Sequence, residues 1–136
     1  MRKLMMMTMM FCLVLSFCSS GIASATHNTA DAEKPRLVII RADWCPYCQK
    51  IEPVLKDLQS EYKDWLEFVA LDVTDAKTTT EASQTATRLG LGKFFAENKE
   101  KTSTVAIFKG PELVFQISGV QDRAAYVREF ERALHK

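Results

Sequence analysis

The stretch ADWCPYCQKIEP, residues 42–53, carries Cys45 and Cys48, two residues apart with Pro46 and Tyr47 between them. Such a pair can hold a metal, staple a fold or pass electrons, and the rest of the chain decides among these uses. Upstream, RLVIIRA (36–42) is an apolar, β-branched run, too short for a helix and suited to a buried strand. Downstream, Ile51, Leu55, Leu58 and Tyr62 keep helical spacing. The cysteine pair therefore falls at a strand-to-helix junction. Cys45 is expected to open the helix with Pro46 in its first turn, where a missing N–H leaves no intrahelical bond unmade. Pro53 is expected to kink the helix, which should run to about residue 62.

The 136 residues allow one domain. Residues 1–25 are expected to lie outside it, as a cleaved signal peptide. Arg2 and Lys3 precede an apolar run from Leu4 to Phe17, and Ala23 and Ala25 stand at the −3 and −1 positions of a cleavage site. The run is short for a membrane span of about 20 residues. Cys18 follows the bulky Phe17, which argues against a lipid-modified cysteine. The expected product is periplasmic or secreted and has no stable membrane insertion. Residues 26–35 read as a polar linker and 36–136 as the domain.

Removing Arg2 and Lys3 with the leader leaves 16 basic residues against 17 acidic ones. That balance gives no reason to expect a nucleic-acid partner. Cys12 and Cys18 leave as well, so Cys45 and Cys48 remain alone. A bridge across two residues removes little chain entropy and is a poor staple. A structural zinc site needs four ligands, and the only histidines, His27 and His135, lie near opposite ends of the mature chain. Redox exchange is the use left standing.

Further elements follow from pattern. LEFVALDV (66–73) reads as a second strand. The Ala/Thr-rich segment 74–89 is a weak helix, broken at the glycines of 90–101, where a short helix carrying Phe94 and Phe95 can resume. STVAIFK (103–109) and ELVFQIS (112–118), joined at Gly110 and Pro111, read as an antiparallel hairpin. The closing segment 121–136 is an amphipathic helix with Val127, Phe130 and Leu134 on one face. The order β-α-β-α-β-β-α predicts an α/β fold, a mixed four-stranded sheet flanked by helices on both faces.

In this topology the sequence resembles the thioredoxin family. The resemblance is carried by ADWCPYCQKIEP, VALDVTD, STVAIFKG, Gly119 and the last helix, and so covers most of 36–136. The CPYC tetrad itself is similar to glutaredoxins. The flanking ADWC and the C-terminal half look more like thioredoxins and periplasmic thiol–disulfide interchange domains. The resemblance implies a thiol–disulfide oxidoreductase that needs no organic cofactor, acts on protein thiols and disulfides with a separate redox partner, and works as a monomer. Cys45, at a helix N-terminus that favours its thiolate, would be the exposed nucleophile. Cys48, more buried, would resolve the mixed disulfide. Trp44 would offer a partner an apolar contact, or merely pack at a strand end. Tyr47 would contact substrates and influence the potential, and Pro46 would stiffen the turn.

Three positions depart from the family. The family's cis-proline aligns with Ser103, and no proline lies between Pro53 and Pro111. A trans Thr102–Ser103 bond is the default, since a non-proline cis bond costs about 2.5–4 kcal/mol. A proline restored at 103 is expected to alter function more than stability. The family's buried aspartate is replaced by Ile39. Glu52, one turn after Cys48, is a candidate proton acceptor, although a solvated helix charge is the preferred reading. Arg41 either lowers the Cys45 pKa or pairs with Asp43 or Glu52. Residues 79–101 contain an insertion relative to a standard thioredoxin. The lost proline keeps a second reading open, in which the cysteines bind Cu(I) or share an iron–sulfur cluster between two chains.

Overall fold

The computed structural model describes residues 34–135. The expected signal segment and most of the linker lie outside the described residues. The elements are β1 (Arg36–Arg41), α1 (Pro46–Tyr62), β2 (Glu67–Asp72), α2 (Ala76–Arg88), α3 (Gly92–Asn98), β3 (Thr104–Lys109), β4 (Glu112–Ser118) and α4 (Arg123–His135). The sheet order is β2-β1-β3-β4. β1 runs parallel to β2, with Arg36 opposite Glu67, and antiparallel to β3, with Ile40 opposite Thr104. β3 and β4 form the expected hairpin, turned at Gly110 with φ of 57°.

Because β1 is covered on both faces, its sequence is a continuous apolar run rather than an alternating one. Leu37 and Ile39 pack with α1 and α4, against Ile51, Leu55, Leu58, Tyr126 and Phe130. Val38 and Ile40 face the opposite way, towards α2 and α3, against Ala82, Ala86, Phe94 and Phe95. Two apolar layers thus fix β1, and its C-terminal end carries the cysteine motif.

The Thr-rich helix has identifiable support. Asp75 caps α2 by accepting the Thr78 amide at 2.8 Å, and the Thr78 hydroxyl accepts the Asp75 amide in return at 3.0 Å. The small Ala82 and Ala86 form its buried stripe. Gly90, at φ 73°, ends it in the left-handed conformation that glycine adopts without a Cβ penalty.

The expected short helix carrying Phe94 and Phe95 is present as α3, seated by both rings in the core and by the edge-to-face contact of Phe94 with Phe108 at 5.1 Å. One detail differs from expectation. On α4 the fully buried stripe is Tyr126, Phe130 and Ala133, with Val127 and Leu134 only partly covered. The helix is therefore rotated by about one residue from the expected face. No helix among the described residues is long and apolar enough to cross a membrane.

Candidate active site

The backbone leaves β1 at Arg41 and turns through Ala42 and Asp43, with the Cys45 amide bonded to the Ala42 carbonyl at 3.1 Å. Cys45 is the N-cap of α1, and its side chain takes the role that serine or aspartate usually fills. Its Sγ accepts the Cys48 backbone N–H at 3.1 Å. Cys45 and Cys48 form a disulfide with their Cα atoms 5.3 Å apart. Ala42 and Val73 pack beneath the pair.

The expected difference in burial between the cysteines is absent. Cys45 is 2% exposed and Cys48 4%. In the disulfide the Cys45 sulfur lies in over the first turn of the helix, so both sulfurs share one small apolar cluster. Exposure belongs instead to their neighbours, Trp44 at 61% and Tyr47 at 57%. Trp44 is not packed at a strand end. Its indole N–H donates to the Thr74 carbonyl at 3.1 Å, which holds the exposed ring in place. Tyr47 stands with the Lys50 ammonium 5.9 Å from its ring centroid, within the usual range for a cation–π contact. Pro46 occupies the first helical turn as expected, and Pro53 lies inside a helix that continues through it.

Thr74 was not foreseen from sequence. Besides holding Trp44, its hydroxyl accepts the Asp43 amide at 2.9 Å. The Gln49 side chain donates to the Asp43 carbonyl at 2.7 Å and closes the loop from the helix side. Thr74 follows β2 by two residues and is about thirty positions from the motif. Its only sequence signal is a hydroxyl residue at the end of a strand parallel to β1.

Arg41 is paired rather than free. Its guanidinium binds Asp43 at 2.6 Å and also bonds Asp72 on the neighbouring strand. Partial burial works against its charge, but the hydrogen bond to Asp43 and the fields of Asp72, Asp43 and Glu52 raise its pKa overall. Burial also pushes the Asp72 carboxyl up, yet hydrogen bonds from Thr74 and the charge of Arg41 leave it below the ordinary range. With two carboxylates on one guanidinium, little of the Arg41 field is left for the cysteines. Glu52 pairs with Lys56 at 2.7 Å, and the hydrogen bond and charge of Lys56, with help from Arg41, hold its carboxyl low.

Thr102 is half-buried and Ser103 buried, just ahead of β3. The Ser103 amide donates to the Ile40 carbonyl at 2.8 Å, and its Oγ accepts the Gly119 amide at 3.2 Å. Ser103 has φ of 63°, the only positive value outside glycine among the described residues. Ile39, at the family's aspartate position, lies against the α1 layer and lines a groove that reaches Cys48.

A family model described as thioredoxin matches residues 22–130. The chain belongs to the thioredoxin family. Among thioredoxin relatives, the chloroplastic M-type protein of Chlamydomonas reinhardtii is 30% identical over 105 residues, which cover 77% of this chain and 65% of that one. The thioredoxin of Synechocystis sp. is 27% identical over 112 residues, 82% of this chain and 92% of that one. In fold, the chain is similar to thioredoxin O2 from Arabidopsis thaliana in its oxidized state, with TM-score 0.52 and 24% identity over 74% of this chain and 76% of that one. It is also similar to Fasciola hepatica thioredoxin, with TM-score 0.54 and 21% identity over 74% and 81%. Thioredoxins are thiol–disulfide oxidoreductases, and this chain carries the Cys45–Cys48 disulfide at the start of α1. The metal-binding alternative gains no support from the family match or the relatives.

Proposed function

We propose that the chain is exported and exchanges electrons with protein disulfides through Cys45 and Cys48, as a monomer and without a cofactor. The reading is carried by one observation: the disulfide closes the first turn of α1 with the Cys48 N–H on the Cys45 sulfur. On reduction, that N–H and the positive end of the helix favour a thiolate at Cys45. Cys45 attacks a partner disulfide, a mixed disulfide forms, and Cys48 displaces the partner thiolate. The same steps in reverse oxidise a partner. Exposed Trp44 and Tyr47 give the partner apolar contact beside the sulfurs. Export rests on the leader pattern of residues 1–25.

The deciding experiment expresses the full chain in a Gram-negative host and reads three things in the periplasmic fraction. These are the mature N-terminus, the mass in solution, and the insulin reduction rate with the potential of the Cys45–Cys48 pair. A chain that stays in the cytoplasm sinks the export reading. One that is exported but leaves insulin intact sinks the activity.

A further inference from the structure

Cys48 is buried, yet a resolving thiol must lose a proton before it attacks. A groove of about 170 Å³ runs between α1 and the edge strand β2, and Cys48 forms part of its wall. Ile39, Phe68 and Ala70 line it from the sheet, and Arg41, Glu52, Lys56 and Gln59 add polar groups. Ala70 is the one exposed residue of β2, and its small side chain leaves the edge of the groove unfilled. A space of this size holds several waters, at about 30 Å³ each. Neither Trp44, Cys45 nor Tyr47 lines it. A partner bonded to Cys45 and lying on Trp44 and Tyr47 therefore leaves it open.

We infer that this groove is the proton route to Cys48 and that Glu52 receives the proton. The inference rests on the reading of Cys45 as nucleophile and Cys48 as resolving thiol. In the mixed disulfide, the Cys48 S–H bond breaks and its proton passes by way of groove water to the Glu52 carboxylate. The Cys48 thiolate attacks the Cys45 sulfur, and the bond between Cys45 and the partner breaks. The partner sulfur leaves as a thiolate and takes a proton from bulk water, while Glu52 returns its own to solvent. Two electrons pass from the cysteine pair to the partner, and no other reductant is consumed.

Glu52 follows Cys48 by four residues, the spacing that brings two side chains to one face of a helix. Lys56 from α1 and Arg41 from β1 are the charges around it, and Arg41 is itself held by Asp43 and Asp72. From β2 the groove receives only Phe68, Val69 and Ala70. Lys56, and more weakly Arg41, hold Glu52 in its ionised, accepting form at some cost in basicity, so the proton it takes is passed on readily to solvent. A purely electrostatic Glu52 would act with the opposite sign. Its negative charge disfavours a thiolate at Cys48, so neutralising it would speed resolution.

The test is stopped-flow reaction of the reduced protein with 5,5′-dithiobis(2-nitrobenzoate). It releases one chromophore when Cys45 attacks and a second when Cys48 resolves. Glu52→Gln should slow the second phase about tenfold or more at neutral pH, and its rate should rise in proportion to hydroxide. Ala70→Phe, which fills the groove, should slow the second phase and leave the first unchanged. A Glu52→Gln second phase as fast as wild type or faster overturns the inference. A Cys45→Ser protein that keeps the first phase at the wild-type rate overturns the underlying assignment of Cys45 instead.

Discussion

Ser103 donates its backbone N–H to the Ile40 carbonyl at 2.8 Å from a φ of 63°. Proline can do neither, since it has no N–H and its ring holds φ near −65°. The expectation that proline at this position would alter function more than stability is therefore reversed.

Ser103→Pro should destabilise the domain by about 3 kcal/mol or more. Ser103→Ala keeps the left-handed strain that serine already carries and loses only the bond to the Gly119 amide, at a cost of about 1 kcal/mol. Ser103→Gly loses the same bond but escapes the Cβ penalty of about 1–2 kcal/mol, and should fall near wild type. Urea midpoints ordered glycine, alanine, proline from high to low check this. A proline variant as stable as wild type would mean the 102–104 backbone is built differently.

Cys45→Ser should abolish insulin reduction, whereas Cys48→Ser should accumulate mixed disulfides that dithiothreitol releases. The positions explain the difference. Cys45 caps the helix and receives the Cys48 amide, while Cys48 sits one turn inside, on the groove. Non-reducing gels of the two variants with a disulfide substrate read the outcome, and full turnover by Cys48→Ser would reject the roles.

Arg41→Gln should change stability more than thiol acidity. The guanidinium joins the ends of β1 and β2 through Asp72, both side chains being 28% exposed. Losing that bond should cost about 1 kcal/mol at neutral pH. Asp72 is depressed in the folded state below 3.8, so its contribution is complete above that value. The contribution fades as pH falls through the lower folded value. Denaturation curves of the two proteins should accordingly converge in acid. Thiolate absorbance of Cys45 against pH should be nearly superimposable in the two, and a large upward shift in the variant would restore Arg41 as a thiolate-stabilising cation.

Trp44→Ala should leave the melting temperature nearly unchanged, because the ring is mostly exposed. It should lower kcat/KM for a protein disulfide about tenfold, the scale of an aromatic contact at a binding surface. Rates with a small disulfide should hold. Equal losses with both substrates would place Trp44 in the chemistry rather than in docking.

Much of this fold could be read because its signals are local. β1 is apolar throughout since both of its faces are covered, and α1 keeps its period from Ile51 to Tyr62. α4 was legible as a helix but not in its rotation, because Tyr126 and Val127 are both apolar and only the packing of Phe130 chooses between them. At the site, the cysteine pair and its place on the helix were plain. The pairing of Arg41 with Asp72, the Thr74 anchor and the groove beside Cys48 were not. Each depends on β2 lying parallel to β1 in one register, which brings residues about thirty positions apart into contact. The left-handed backbone of Ser103 left no trace either, since serine gives no hint of the positive φ that glycine would advertise.

The double hold of Thr74 on Asp43 and Trp44 bears on protein engineering. A designer who transplants residues 42–49 into another scaffold carries over the sulfurs and the helix cap but leaves behind the strand end that orients the tryptophan. The smallest transferable unit is therefore discontinuous, made of the motif together with the Asp72–Asp75 corner and the register that joins them. A chimera built from the motif alone should keep a reducible disulfide and lose command of which proteins approach it.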